Sequence, residues 1–335
     1  MTAPARADAG TGRSWPARGR WFNAPRWAGL ALFLGLEVAV FAVMAPDFLS
    51  PTNLLNAGRA LAILAIVATG ATFGLISGAL DISVGSVIAL SGTVATLTLM
   101  DGAPAVVAIG AGIAVGLAVG TANGLVVVVL RVNPIIATLA MLGIARGVAF
   151  IVSGGAAIVS PGQTVSSTDP VFNAMQTSIA GIPLPLILAL IVVAIGHLVL
   201  AHTRLGRYAY AVGGNAQAGR AVAIPVDRLR VAFLAISGTL AGLAGWVYAS
   251  MAAGVGASIA QGYELTAITA VILGGVALAG GSGTMIGTFL GVVILGAMVN
   301  GLTLMGVPVF YQLMGQGLVL LAAVAIDARQ SGGYR

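Results

Sequence analysis

Apolar runs of about twenty residues recur along most of the chain, separated by short segments rich in Gly, Pro, Asn and Asp. A helix of about 20 residues spans a hydrocarbon layer roughly 30 Å thick. Inside that layer every backbone N–H and C=O must find its partner within the protein, which favours helices. A soluble core would not need nearly every segment to be apolar. Charged residues make up 7% of the chain and the mean hydropathy is +1.06, against roughly 25% charged residues in soluble domains. The chain therefore reads as an all-α membrane protein with many crossings.

Ten spans can be laid out, giving a transmembrane domain over 27–326. The first two lie at about Trp27–Ala45 and Arg59–Ser77. The break SGALDISVGS holds Asp81 between glycines and leads to a third span ending near Met100. The fourth covers about Ala105–Leu130, and Asn133-Pro134 opens a fifth to about Val152. The sixth (about Leu184–Ala201) and seventh (about Val231–Met251) flank a polar segment. The eighth (about Leu265–Ala279) and ninth (about Thr284–Leu304) are separated by Gly280-Gly281-Ser282-Gly283, and the tenth follows Pro308 to about Ile326. Residues 1–26 read as a flexible cytoplasmic tail rather than a signal peptide, because no apolar run lies among their arginines. Residues 327–335 read as a second tail.

Charge sets the expected orientation. All 15 basic residues are arginines, and with a cytoplasmic N-terminus all but Arg59 and Arg146 fall on the inner side. Asp47, Asp101, Asp169 and Glu264 then fall outside, as does the Gly/Ser/Thr/Pro-rich loop 153–183. This is the positive-inside pattern, with both termini cytoplasmic; the net charge of +6 is topological bias and not a nucleic-acid footprint. Absence of cysteine excludes thiolate metal sites and disulfides. Absence of lysine removes the phosphate-loop lysine, so the chain is not itself a P-loop ATPase. Two histidines are too few for a metal site without clustered acids. No catalytic constellation stands out, and no cofactor is expected.

The polar segment His202–Arg230 carries a third of the chain's arginines. Gly213-Gly214 should break the chain there, Asn215 can cap a helix, and Ala216–Ile224 can wind before Pro225 ends it. Such a helix is too short to span and too weak to stand alone, so it should lie on the membrane surface and gain order from a partner. Within the spans, Glu37 and Asp81 are the notable carboxylates. Asp81 should accept backbone N–H groups at the start of the third span. Arg146 can pair with a carboxylate or snorkel. Gly110, Gly112, Gly116 and Gly120 should serve helix packing, whereas Gly85, Gly280 and Gly281 should allow turns without long loops. Asn53, Asn56, Ser83, Ser86, Asn123, Thr138 and Asn300 are candidates for polar groups along a pathway, each competing with a simple interhelical hydrogen bond. Asn123-Gly124-Leu125 recurs as Asn300-Gly301-Leu302 five spans later, an odd offset that would make an inverted repeat.

Five ordered stretches carry a resemblance: FLSPTNLLN at 48–56, GALDISVGSVIALSG at 78–92, NPIIATLAMLGIARGVAFIVSGG at 133–155, TRLGRYAYAVGGNAQAGRAVAIPVDRLR at 203–230, and QGYELTAITAVILGGVALAGGSGTMIGTFLG at 261–291. Together they resemble the permease subunit of bacterial ABC importers for monosaccharides of the ribose/xylose/galactose type. The resemblance implies a type II importer fold with ten membrane helices per subunit in the bacterial inner membrane. It also implies a second permease subunit, a separate cytoplasmic ABC ATPase, an extracytoplasmic solute-binding protein and a monosaccharide substrate. By that resemblance Gly213, Gly214, Asn215, Ala218 and Arg220 belong to the segment that docks on the ATPase. Thr266 stands where the family usually has an acid, Gly219 where alanine is common, and Ser282 where arginine is frequent. Other solutes of the superfamily (nucleosides, branched-chain amino acids, urea, a signalling furanose) remain open. An ion-coupled secondary transporter using Glu37 and Asp81 is the rival from another class.

Overall fold

The computed structural model describes residues 26–155, 157–158, 169–252 and 255–330. The expected 1–26 tail therefore lies outside the described residues except for Arg26, as do residues 331–335 and part of the 153–183 loop. The helices are α1 (Arg26–Met44), α2 (Pro51–Ile76), α3 (Val84–Met100), α4 (Ala105–Val129), α5 (Pro134–Val152), α6 (Leu184–His202), α7 (Arg204–Gly214), α8 (Ala216–Ala221), α9 (Val226–Ala252), α10 (Tyr263–Leu273), α11 (Met285–Leu304) and α12 (Val309–Gln330). Six of them, α2, α4, α5, α6, α9 and α11, are long and apolar enough to cross a membrane. Shorter apolar stretches in α1, α3, α10 and α12 occupy the other expected positions. The described part of the 153–183 loop holds a 3-10 turn, Phe172–Gln176, and the two-residue strand pair Ser178–Ile179 with Ile182–Pro183.

Several boundaries differ from the sequence reading. α2 begins at Pro51, not Arg59: Ser50 accepts the Asn53 N–H at 3.2 Å and proline fits the first helical turn. α12 continues through Asp327, whose carboxylate accepts the Leu278 N–H at 3.2 Å, so the expected C-terminal tail starts inside a helix. The arginine segment forms two helices. Gly213 and Gly214 do not break the chain; they end α7, and the break falls at Asn215, which is extended. Asn215 then caps α8, its side chain accepting from Ala218 N–H at 2.9 Å.

Helix ends gather into two faces. On one, Asn53 meets Asn300, Arg59 reaches Ser178, and Ser250 binds Met175 and Gln176. On the other, Gly281 N–H donates to Ile76, Tyr210 donates to Gly283, and Leu278 binds Asp327. α10, with 11 residues, covers only about 16 Å. Residues 255–262, a two-residue strand and a turn, and the irregular segment 274–284 flank it, and irregular 77–83 precedes α3.

Glycine decides the centre of the bundle. Gly112, Gly116, Gly120 and Gly124 line one face of α4, and a Cβ on each would meet atoms of α3 or α9 within the packed interface. Gly238 and Gly242 return the favour from α9. Small residues at four-residue spacing let two backbones approach where lipid supplies no hydrophobic drive. Gly110 does not join them: it is exposed, with nothing near its missing Cβ. Gly116→Val should therefore lower the melting temperature of the detergent-purified protein markedly, in line with overpacking costs of roughly 1–3 kcal/mol. Gly110→Val should leave it unchanged.

Candidate functional site

Two non-helical segments meet inside the bundle. The first, 77–83, turns at Gly78 and runs up to α3. Asp81 sits in it, 1% exposed, beside Ser237, about three turns into α9. One carboxylate oxygen accepts the Ser83 N–H at 2.9 Å and the Ser83 hydroxyl at 2.6 Å; the other accepts the Ser237 hydroxyl at 2.8 Å. The Asn123 amide from α4 donates to Ser83 at 2.9 Å. A buried charge is tolerable only when donors surround it, and here they come from α9, the segment itself and, at one remove, α4. Asp81 thus ties three elements together and faces no open space.

Four expected pathway residues change standing here. Ser83, Ser86, Asn123 and Thr138 are each fully buried. Ser86 donates to Ser83 O at 2.8 Å, and Thr138 contacts Pro134 O at 2.9 Å and Leu80 O at 3.2 Å. Their polar atoms hold helices and the break together, and none of the four lines the cavity among α2, α10, α11 and α12. Gly85 is likewise no turn residue. It lies in the first turn of α3, where a Cβ would strike Ala260 O and the Glu264 carboxylate.

That contact brings in the second break, 255–262, which leads into α10. Arg146 of α5 donates to Ala257 O at 2.6 Å and Ile259 O at 2.7 Å. It neither pairs directly with a carboxylate nor snorkels; it supplies the N–H groups that non-helical backbone lacks. Thr72 and Thr288 form a further buried link between α2 and α11 at 2.8 Å, which hydropathy alone had hidden.

The turns that follow α2 and α10, at 77–78 and 280–283 (the inner turns, on the side of the bundle that carries α7), abut the end of α7. Gly213 packs so closely on Ile76 O and Gly281 N that no Cβ fits. Gly280 and Gly281 have φ of +86° and +75° and rest on Gly213 and Gly214. Tyr210, whose phenol burial pushes above its ordinary pKa, donates to Gly283 O at 2.9 Å. The outer side of this shelf is open: Gly214, Asn215, Ala218 and Arg220 are exposed, while Gly213 is half-buried. Arg220 pairs with Asp227 at 2.8 Å in an exposed bridge of small energetic weight. Gly219 is buried with only ordinary contacts around its missing Cβ, so alanine would fit.

A cavity of about 420 Å³ lies among α2, α10, α11 and α12. Asn56 and Asn300 line it, and Gln261, Tyr263, Thr266, Thr303 and Gln316 add polar groups that the spans did not flag. Asn53 braces its wall through a reciprocal amide pair with Asn300, at 2.8 and 3.0 Å. Among the described residues no three His, Cys, Asp or Glu cluster as metal ligands.

The family profile described as "Branched-chain amino acid transport system / permease component" matches residues 53–324, from the first turn of α2 to the last turns of α12. The chain belongs to this family of transport permeases. It is 38% identical over 305 residues to the ribose import permease protein of Bacillus subtilis, covering 90% of this chain and 93% of that one. The ribose import permease protein of Escherichia coli K12 is 37% identical over 293 residues, covering 88% and 91%. The L-arabinose ABC transporter permease protein of Azospirillum brasilense is 33% identical over 311 residues, covering 93% and 90%. No solved structure matches. The matched span contains every element of the permease that builds the two breaks, the shelf and the cavity.

The Asp81 cluster makes a graded prediction. Asp81→Ala strands two hydroxyls and one N–H, at roughly 1–3 kcal/mol for each unpaired group. Asp81→Asn keeps an acceptor and lets one hydroxyl rotate to accept. Thermal melting of the purified permease should fall steeply for alanine and only slightly for asparagine.

Proposed function

We propose that this permease is the non-catalytic membrane subunit of an ATP-driven bacterial importer for a monosaccharide. The near full-length match to permeases named for ribose and L-arabinose carries the reading. Lysine-free sequence leaves nucleotide binding to a partner ATPase. A solute-binding protein delivers the sugar on the outer face, and a second permease copy or paralogue completes the pathway. The chain crosses the inner membrane ten times with both termini inside, consistent with the two faces on which helix ends gather and with the arginine distribution.

An inverted repeat underlies the helix order. α3 packs on α4, α5 and α9; α10 packs on α11, α12 and α2. Advancing five spans converts α3, α4 and α5 into α10, α11 and α12, and stepping back five converts α9 into α2, with chain direction reversed. Each repeat then contributes one broken helix, and broken helices at mid-depth recur where transporters rearrange. Gly213, Gly214, Asn215, Ala218 and Arg220 form the docking shelf. ATPase closure pushes that shelf, and the glycine contacts of α7 pass the movement to both inner turns together. Asn53, Asn56 and Asn300 border the pathway.

Solute uptake into vesicles carrying the whole assembly tests this reading. Labelled ribose or arabinose should accumulate with ATP and fail to accumulate when the ATPase is catalytically dead. Accumulation driven by an ion gradient without nucleotide, abolished by Glu37→Gln together with Asp81→Asn, would instead establish the secondary-transporter rival. Adjacent glycines test the transmission. Gly213→Ala has no room for its methyl, whereas Gly214→Ala points into open space. The former should retain ATPase association but lose most uptake; the latter should transport normally. Equal uptake in both would remove the glycine contact from the mechanism.

A further inference from the structure

The cavity among α2, α10, α11 and α12 has a lining suited to one kind of guest. Its volume, about 420 Å³, lies in the range of small-molecule sites, roughly 300–1,000 Å³. No charged side chain lines it. Its polar groups are amides and hydroxyls, and several retain unused capacity. The one Thr266 hydroxyl proton is shared between the Gly262 carbonyl at 3.1 Å and the Gln316 side-chain carbonyl at 3.0 Å, and the Gln316 amide N–H groups have no partner among the described residues. Arg59 holds the Asn56 carbonyl at 3.1 Å, leaving its amide nitrogen to the cavity. The Gln261 amide and the Tyr263 hydroxyl have no hydrogen-bond partner among the described residues. Deeper along α2 and α11 the lining turns apolar, with Leu61, Leu64 and Leu295.

We infer that this cavity is a transient subsite for a neutral polyol, a single pentose ring, on its way through the permease. Hydroxyls need both donors and acceptors, and amides offer both at once. Spare N–H groups on Gln316 and Asn56, the free Gln261 amide and the Tyr263 hydroxyl supply that mixture. An ionised solute would lose its hydration to a lining without a charged side chain, with the nearest guanidinium, Arg59, already engaged by Asn56. The apolar floor gives no further hydrogen bonds, which keeps the site weak enough to release what it holds. This assignment rests on the sugar-permease reading and adds Gln261, Tyr263, Thr266 and Gln316 to it.

The natural absence of cysteine permits a direct occupancy test. Ala60 lines the cavity and is exposed, so Ala60→Cys places one reactive thiol there. In the full assembly, ribose or arabinose should slow maleimide labelling of that thiol, and the sugar acid of the same size should not. Adding Gln316→Leu should weaken protection about fivefold in sugar concentration, the scale of one neutral hydrogen bond. Labelling without sugar and the melting temperature check that the variant folds. Protection that is absent, or identical in the Gln316→Leu background, overturns the subsite, while ATP-driven pentose uptake by the unsubstituted assembly shows that the sugar reading stands. Should that assembly take up another solute with ATP and no pentose, both the sugar reading and the subsite fall. Protection by the sugar acid alone would also overturn the subsite.

Discussion

Non-helical backbone inside a membrane protein must be fully hydrogen-bonded by its surroundings, and this permease is organised around meeting that demand twice. At 77–83 the partners are Asp81, Ser83 and Ser237 together with Thr138 on the Leu80 carbonyl. At 255–262 the partner is Arg146 on two carbonyls, those of Ala257 and Ile259. One break is held by a carboxylate that gathers donors, the other by a guanidinium that supplies them. Each solution relies on a titratable side chain that would be costly in the interior without these hydrogen-bond partners.

Close approach is the second requirement, and it follows from the first. Breaks can touch each other only if the helices around them come within backbone distance. Gly85 admits the Ala260 carbonyl and Glu264, and the α4–α9 glycines draw those helices together. The same device at Gly213 and Gly281 fixes the surface shelf to both inner turns. A side chain at such points would act as a spacer, so movement of one backbone would no longer displace the next. Glycine here serves rigidity of contact more than freedom of conformation.

Hydropathy made the helices legible, because length and apolar content alone place a span. Ends were less so. Pro51 and Ser50 mark the true start of α2, but the polar Asn53 and Asn56 suggested a longer connection. In the arginine segment, the pair Gly213-Gly214 reads locally as a breaker. Tertiary contact with Ile76 and Gly281 overrides that preference by requiring small residues within a helix. Polar residues divided along a line that composition could not draw. Ser83, Ser86, Asn123 and Thr138 bond inward, whereas Asn56 and Asn300 reach a cavity, and only packing partners distant in sequence distinguish the two. Gln261 and Thr266 stand together at the start of α10, but Gln316 comes from α12, so no local pattern could have joined it to them.

On the proposed reading, the shelf and the inner turns move as one body. Spin labels at Gln217→Cys on α8 and Ser282→Cys in the α10–α11 connection, attached to this cysteine-free chain before assembly, measure it directly. A second pair, Gln217→Cys with Thr177→Cys on the opposite face, reports movement of the shelf across the bundle. During nucleotide turnover in the complete assembly, the first distance should stay constant while the second changes. A first distance that changes as much as the second would show the shelf sliding past the turns, and would contradict the account.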